Sequence, residues 1–217
     1  IREGAKISKS RGNVILPDEY MTTFGADTFR MYLMFLGPFQ AGGDFRDRGL
    51  AGPHRFMNKL WDSVVKAVTA GRSGFDDEEV ERSLHATIKK VTEDLEGLEY
   101  NTAIAAMMDY LNVLRADGRT ASLDEVRPLV ILLAPIAPHI SEEFWARLGG
   151  ESSIFDYADW PTYDPAKLLT DVLHLPVQVN GRLRATIQVV VGASQEVVKE
   201  TALTEENVTR HLADGDI

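Results

Sequence analysis

The spacing of apolar residues changes once along this chain, and that change limits what it can fold into. Between about residues 47 and 150 apolar side chains return every three or four positions, which gathers them on one face of an α-helix. Met57, Leu60, Trp61, Val64 and Val68 form one such row, and Leu84, Ile88, Val91, Leu95 and Leu98 a second. Ile104, Met107, Met108, Leu111 and Leu114 form a third, and Val126, Leu129, Val130 and Leu133 a fourth. From about residue 172 the period drops to two. Leu173, Leu175, Val177 and Val179 alternate with other residues, and Leu183, Ala185, Ile187, Val189 and Val191 do so beyond Asn180-Gly181. Asn-Gly between alternating runs is a strong signal for a two-residue hairpin turn, because both residues tolerate positive φ. The expected fold is mainly α: a helical bundle followed by a small α+β C-terminal unit carrying a β-hairpin.

The punctuation fits this plan. Pro17-Asp18-Glu19 opens a short helix that ends at Gly25, and a second runs from Ala26 to a stop at Gly37-Pro38. Asp76 to Glu79 place carboxylates at the positive end of a helix dipole. Ser122-Leu123-Asp124-Glu125 fits a capping box, and Pro138 suits the first position of a last bundle helix ended by Gly149-Gly150. Two short helices, about 194–201 and 205–212, finish the chain. The expected divisions are a loop over 1–16, the bundle over 17–150, a linker over 151–171 rich in Asp, Tyr and Pro, and the α+β unit over 172–217. A lone hairpin is marginal in water, so it must pack on those last helices or on something further.

The charge is uneven. The net charge is −10, yet through Phe75 Lys and Arg outnumber Asp and Glu 11 to 7, and beyond it they are outnumbered 12 to 26. Exposed charges act within a Debye length of roughly 8–10 Å, so a basic front permits a nucleic-acid partner despite the acidic total. The chain has no cysteine, which excludes disulfides, thiolate nucleophiles and Cys-type zinc sites. His54, His85, His139, His174 and His211 show no metal-binding spacing. Surface or satisfied core roles are expected for them, and no metal site. No apolar run approaches the ~18–20 residues of a membrane span. The start, Ile1-Arg2-Glu3-Gly4, lacks an initiating Met and reads as the middle of a longer protein.

One segment carries chemistry. Lys6-Ile7-Ser8-Lys9-Ser10-Arg11-Gly12-Asn13 joins two lysines to small, flexible residues, a composition suited to a mobile loop that meets phosphate. It resembles the KMSKS loop of class I aminoacyl-tRNA synthetases, with Ile7 in the usual Met position. The continuation is similar in order and spacing: Pro17, Tyr20, Gly25-Ala26-Asp27-Thr28, Arg30 and Tyr32. Met34 to Phe39, then Arg55-Phe56-Met57-Asn58 with Trp61, look like the leucine-specific members in particular. Ala134-Pro135-Ile136-Ala137-Pro138-His139 with Glu142, Glu143 and Trp145 resembles the helical anticodon-binding-type domain of the leucine, isoleucine and valine enzymes. Val177 to Arg182 with Arg184 resembles the opening of the bacterial leucine enzymes' C-terminal domain.

The resemblance implies a part of a ligase that activates leucine with ATP and Mg²⁺ and joins it to tRNA(Leu). It implies that Lys6 and Lys9 meet ATP phosphates as the catalytic cations, with Ser8, Ser10 and Asn13 shaping the ATP loop. Charge and position make Arg46, Arg48, Arg55 and Lys59, with Arg182 and Arg184 at the hairpin, the expected tRNA phosphate contacts. A cytoplasmic monomer with no DNA and no membrane partner is implied. HIGH-type and Gly-rich nucleotide-binding motifs and an editing domain are absent, and Pro138-His139-Ile140-Ser141 is only a superficial likeness. The piece alone is therefore expected to bind tRNA weakly, to hold no cofactor tightly and to catalyse nothing. The chain also stops before the final strands usual in the family's C-terminal unit. Phe45 stands where Trp is common, a mild core change. Two alternatives stay open: a stand-alone RNA-binding or interaction module derived from a synthetase, and the matching region of an isoleucine or valine enzyme. Trp61, Trp145 and Trp160 are expected as core or linker anchors, and Glu142-Glu143 as a solvated face.

Overall fold

Amphipathic rows separated by helix stops become a stack of helices in the computed structural model, which describes residues 1–168 and 172–212. The chain divides into two units, 1–165 and 166–217. The end of the expected linker (169–171) and the last residues of the expected C-terminal unit (213–217) lie outside the described residues.

In the first unit the helices are α1 (Pro17–Phe24), α2 (Ala26–Phe35), α3 (Ala51–Ala70), α4 (Glu78–Glu96), α5 (Tyr100–Leu114), α6 (Leu123–Leu133) and α7 (Pro138–Arg147). A short α8 (Ile154–Tyr157) follows. The rows read from sequence face one continuous core, in which Leu60, Val64, Val91, Ile104, Met107, Leu129, Leu133 and Phe144 are wholly buried. Val68 and Leu98 depart from them and are exposed, Leu98 because α4 has already ended at Glu96. Each side chain of this size withdrawn from water contributes roughly 1.5–3 kcal/mol. Ser122 caps α6 as a full capping box: its hydroxyl accepts from the Glu125 N–H, and Glu125 accepts from the Ser122 N–H at 2.8 Å. Glu125 is itself buried, and Arg119 neutralises it at 2.8 Å. Tyr110 donates to the Glu125 carbonyl, and burial drives its phenol pKa strongly upward.

A smaller aromatic core lies under α1 and α2. Phe45 sits at its centre with ring centroids 5.3 Å from Tyr20 and 5.1 Å from Tyr32. Gly49 is required here, because a Cβ at that position would lie 2.5 Å from the Tyr32 ring.

Two expectations need correction. The first sixteen residues do not form a free loop. Phe45 donates its N–H to the Ile1 carbonyl and Glu3 donates to the Phe45 carbonyl, so the N-terminus runs beside residues 43–47 as a short pairing. Glu142 is not a solvated face either. Its carboxylate accepts from the Ser153 hydroxyl at 2.6 Å and the Ile154 N–H at 3.0 Å, capping α8, while Glu143 pairs with Arg147 on the open side. The tryptophans serve as anchors. Trp61 packs on Phe144, Trp145 is buried under Arg127, and Trp160 donates to Thr92 on α4.

In the second unit β1 (Val172–Val179) pairs antiparallel with β2 (Arg182–Val190). Asn180 and Gly181 make the turn with φ of 53° and 72°. The register shifts between Val177 and Gln178, leaving Arg184 as the extra residue of a β-bulge. The bulge breaks the alternation: Ile187 and Val189 are buried as expected, whereas Leu183 is 61% exposed. Helices α9 (Gln195–Thr204) and α10 (Glu206–Leu212) pack on the hairpin, with Val208 buried against it.

Candidate phosphate loop and nucleic-acid interface

The loop from Lys6 to Asn13 is closed by one side chain. Asn13 accepts the Ser8 N–H on its Oδ1 at 2.9 Å and donates from Nδ2 to the Lys6 carbonyl at 3.1 Å. Between them Lys9–Arg11 make a single 3-10 turn, closed by Gly12 at φ 65°, whose N–H donates to the Lys9 carbonyl. The Ser8 and Ser10 hydroxyls lie 3.3 Å apart. Asn13 and the serines thus direct polar atoms into the loop itself. Lys6 and Lys9 are exposed and make no ion pair among the described residues. Two free ammoniums on one closed turn can meet the oxygens of a phosphate chain.

The base of the loop is clamped. Arg2 reaches Asp47 at 3.1 Å, and the Tyr20 hydroxyl donates to the other Asp47 oxygen at 2.7 Å. These hydrogen bonds, Tyr20's first, hold the Asp47 carboxyl below its ordinary range. Burial and the same bond push Tyr20 up to about 12. The Gly4 N–H likewise lowers the pKa of Asp44.

The expected tRNA contacts fall in different settings. Arg46 is committed to its own neighbourhood: Asp44 holds the guanidinium at 2.9 Å, and the Tyr32 hydroxyl bonds its backbone N–H and carbonyl. Arg48 is exposed on the turn Asp47–Leu50, and Arg55 and Lys59 are exposed one helical turn apart on α3. In the other unit Arg182 is exposed beside the hairpin turn. Arg184 is half-buried, with its Nε enclosed and without a hydrogen-bond partner.

One joint went unread. Asp27 and Arg30, one turn apart on α2, both grip the corner between α6 and α7. The Asp27 carboxylate accepts from His139 Nδ1 at 2.8 Å and from the Ile140 N–H at 2.6 Å, capping α7 from another helix. Arg30 donates to the Ile136 and Pro135 carbonyls in the turn between α6 and α7. The signal was present as two motif segments, but nothing in the sequence linked residues more than a hundred positions apart. Among the described residues no cluster suits a metal ion, and no helix is long and apolar enough to cross a membrane.

Comparison with known proteins places this geometry. Residues 1–69 match the profile described as tRNA synthetases class I (M). The leucine–tRNA ligase of Dehalococcoides mccartyi strain BAV1 is 41% identical over 95% of the chain, and that of Herpetosiphon aurantiacus 42% over 96%. The chain spans only 26% of the length of either. A crystal structure of the LeuRS of Agrobacterium radiobacter K84, in a ternary complex with tRNA and LeuAMS, superposes with a TM-score of 0.71 at 33% identity. It covers 99% of this chain and 29% of that one. Residues 77–199, more than half of the chain, match the profile of the anticodon-binding domain of tRNA ligases, and the chain belongs to that family.

Proposed function

We propose that this chain is part of a leucine–tRNA ligase, supplying a loop for ATP phosphates and helices that hold tRNA(Leu). The observation that carries the reading is the Lys6–Asn13 turn, with Asn13 tying the backbone and two exposed ammoniums that make no ion pair among the described residues. The likeness to leucine–tRNA ligases over 95% of the chain supports it.

In the whole enzyme a leucine carboxylate oxygen bonds to the α-phosphorus of ATP while the bond to the bridging oxygen breaks. Charge then gathers on departing pyrophosphate. Lys9, with Lys6 beside it, meets that charge more strongly in the transition state than in bound ATP. Ser8, Ser10 and Asn13 keep the turn in shape, and Mg²⁺ accompanies the ATP. Arg46, Arg48, Arg55 and Lys59, with Arg182 and Arg184, hold tRNA phosphates; Arg46 must share its guanidinium with Asp44. The enzyme works as a cytoplasmic monomer. The 217-residue piece alone binds tRNA and activates nothing.

Lys9→Ala in the full-length enzyme tests the central claim. The rate of leucine-dependent pyrophosphate exchange should fall about a hundredfold or more, the scale of one lost transition-state donor, while ATP affinity changes little. An unchanged exchange rate removes Lys9 from the reaction. Pyrophosphate exchange by the isolated piece would show that it needs no partner domain.

A further inference from the structure

Beyond phosphate contacts, the first unit holds a cavity of about 470 Å³ where α2, α3 and α7 meet, close to the Asp27–His139 joint. Its walls are apolar, from Phe24, Met57 and Ile140. Five polar residues also line it: Asp27, whose carboxylate is already bonded to His139 and the Ile140 N–H, with Thr28, Asn58, His54 and His139. Thr28, His54 and Asn58 make no side-chain hydrogen bond among the described residues, and His139 uses only Nδ1, on Asp27. The His139 side chain is 76% exposed. Such groups can stay unpaired beside water, but their convergence on an apolar floor is what a flat ligand with a polar edge requires.

The surroundings define the rest of that ligand. Residues 54 and 58 face the cavity, while Arg55 and Lys59, one position on, turn through about 100° to the adjoining face of α3. Both are exposed and make no ion pair among the described residues. Asp62 is the acidic residue one turn further along that face, and it leaves the pair of cations in excess. A planar body with donors and acceptors on its rim, attached to an anionic strand, is a nucleotide. Proteins take up unpaired bases by stacking them on aromatic or histidine rings and bonding their edges.

We infer that this cavity receives one unpaired nucleobase of an RNA strand whose phosphates run over Arg55 and Lys59. The inference rests on the tRNA reading above but concerns a different kind of contact. Asn58 bonds the base edge, Thr28 supplies a second polar contact, and the imidazoles supply stacking faces.

The test follows the histidine ring protons of the 217-residue chain by NMR during titration with the four ribonucleoside 5′-monophosphates, and with ribose 5-phosphate as the base-free control. Saturable shifts of His54 and His139 with at least one nucleotide, and none with ribose 5-phosphate, are expected. Asn58→Ala and Thr28→Val should each weaken that nucleotide's binding roughly fivefold to tenfold, the scale of one hydrogen bond. Their spectra report directly whether they fold. Binding of tRNA(Leu) to the same sample is measured by fluorescence anisotropy. If tRNA binds while both histidines stay silent, or respond equally to ribose 5-phosphate, the pocket is refuted and the tRNA reading stands. If nucleotides shift the histidines but tRNA does not bind, the pocket stands and the tRNA reading fails. Variants that fold and bind nucleotide unchanged also overturn the assignment.

Discussion

The helical unit and the hairpin unit are held together by different amounts of the same physics. In the helical unit a large core runs through α3 to α7, and Glu125 inside it is paired with both Arg119 and Ser122. In the hairpin unit the buried apolar residues among those described are few: Val179, Ile187, Val189 and Val208. Leu183, Val190 and Val197 remain exposed there. Two strands with one covering layer of short helices lie near the lower limit of independent stability. The first unit can lose a contact and persist. The second depends on its turn.

The comparison breaks most visibly if the core is hollowed. Leu129→Ala, at a wholly buried position on α6, should cost about 2–5 kcal/mol and lower the midpoint of the main helical unfolding transition in urea. Hairpin amide signals should be unchanged below that midpoint. A variant that lowers both together would show that the two units unfold as one. Gly181→Val should act on the other side at smaller cost. It forces a β-branched residue to a φ of 72°, at roughly 1–2 kcal/mol. Because less holds this unit, the expected result is loss of cross-strand NOEs between His174 and Gln188 at full retention of helical circular dichroism. Persistence of those NOEs would mean that the unit is better supported than its buried residues suggest.

The smallest effect concerns the clamp under the loop. Asp47 titrates below its ordinary value, so its contribution is present above about pH 3.9 and fades as pH falls through the lower folded value. Tyr20 is raised to about 12, so its contribution is complete below about pH 10 and is lost as pH rises toward 12. Exchange of the Glu3 amide, bonded to the Phe45 carbonyl, should therefore be slowest relative to its intrinsic rate between those limits. A monotonic profile across both would show that the clamp does not secure the N-terminus.

What the sequence disclosed was local. The Ser122–Glu125 box and the Asn180-Gly181 turn lie within three residues, and both formed as their chemistry requires. The helical rows were legible because one period repeats for many turns. Three features were not, each for a physical reason. Glu142 looked solvated until the chain returned α8 to it twelve positions later. A bulge at Arg184 moved Leu183 outward, and no residue type announces a bulge in an alternating run. The opening sixteen residues looked mobile because they lack apolar periodicity, yet their order comes from backbone pairing and from Asn13, which no hydrophobic pattern reports. Within the candidate site, the lysines were visible as types, whereas the cavity between α2, α3 and α7 exists only after three distant segments meet.

The grip of Asp27 on the start of α7 also has a consequence in time. Its partners stand 112 and 113 residues downstream. A ribosome adding about 5–20 residues per second needs roughly 6–20 seconds to reach them, far longer than α2 needs to coil. Until then the α6–α7 corner does not exist, and Met31 lacks the later helices of its core, whereas Phe29 and Tyr32 can close at once against nearby Phe45 and Leu50. Helix α2 thus waits for the later bundle, and during this interval a nascent chain of this design is open to chaperones or to a wrong neighbour.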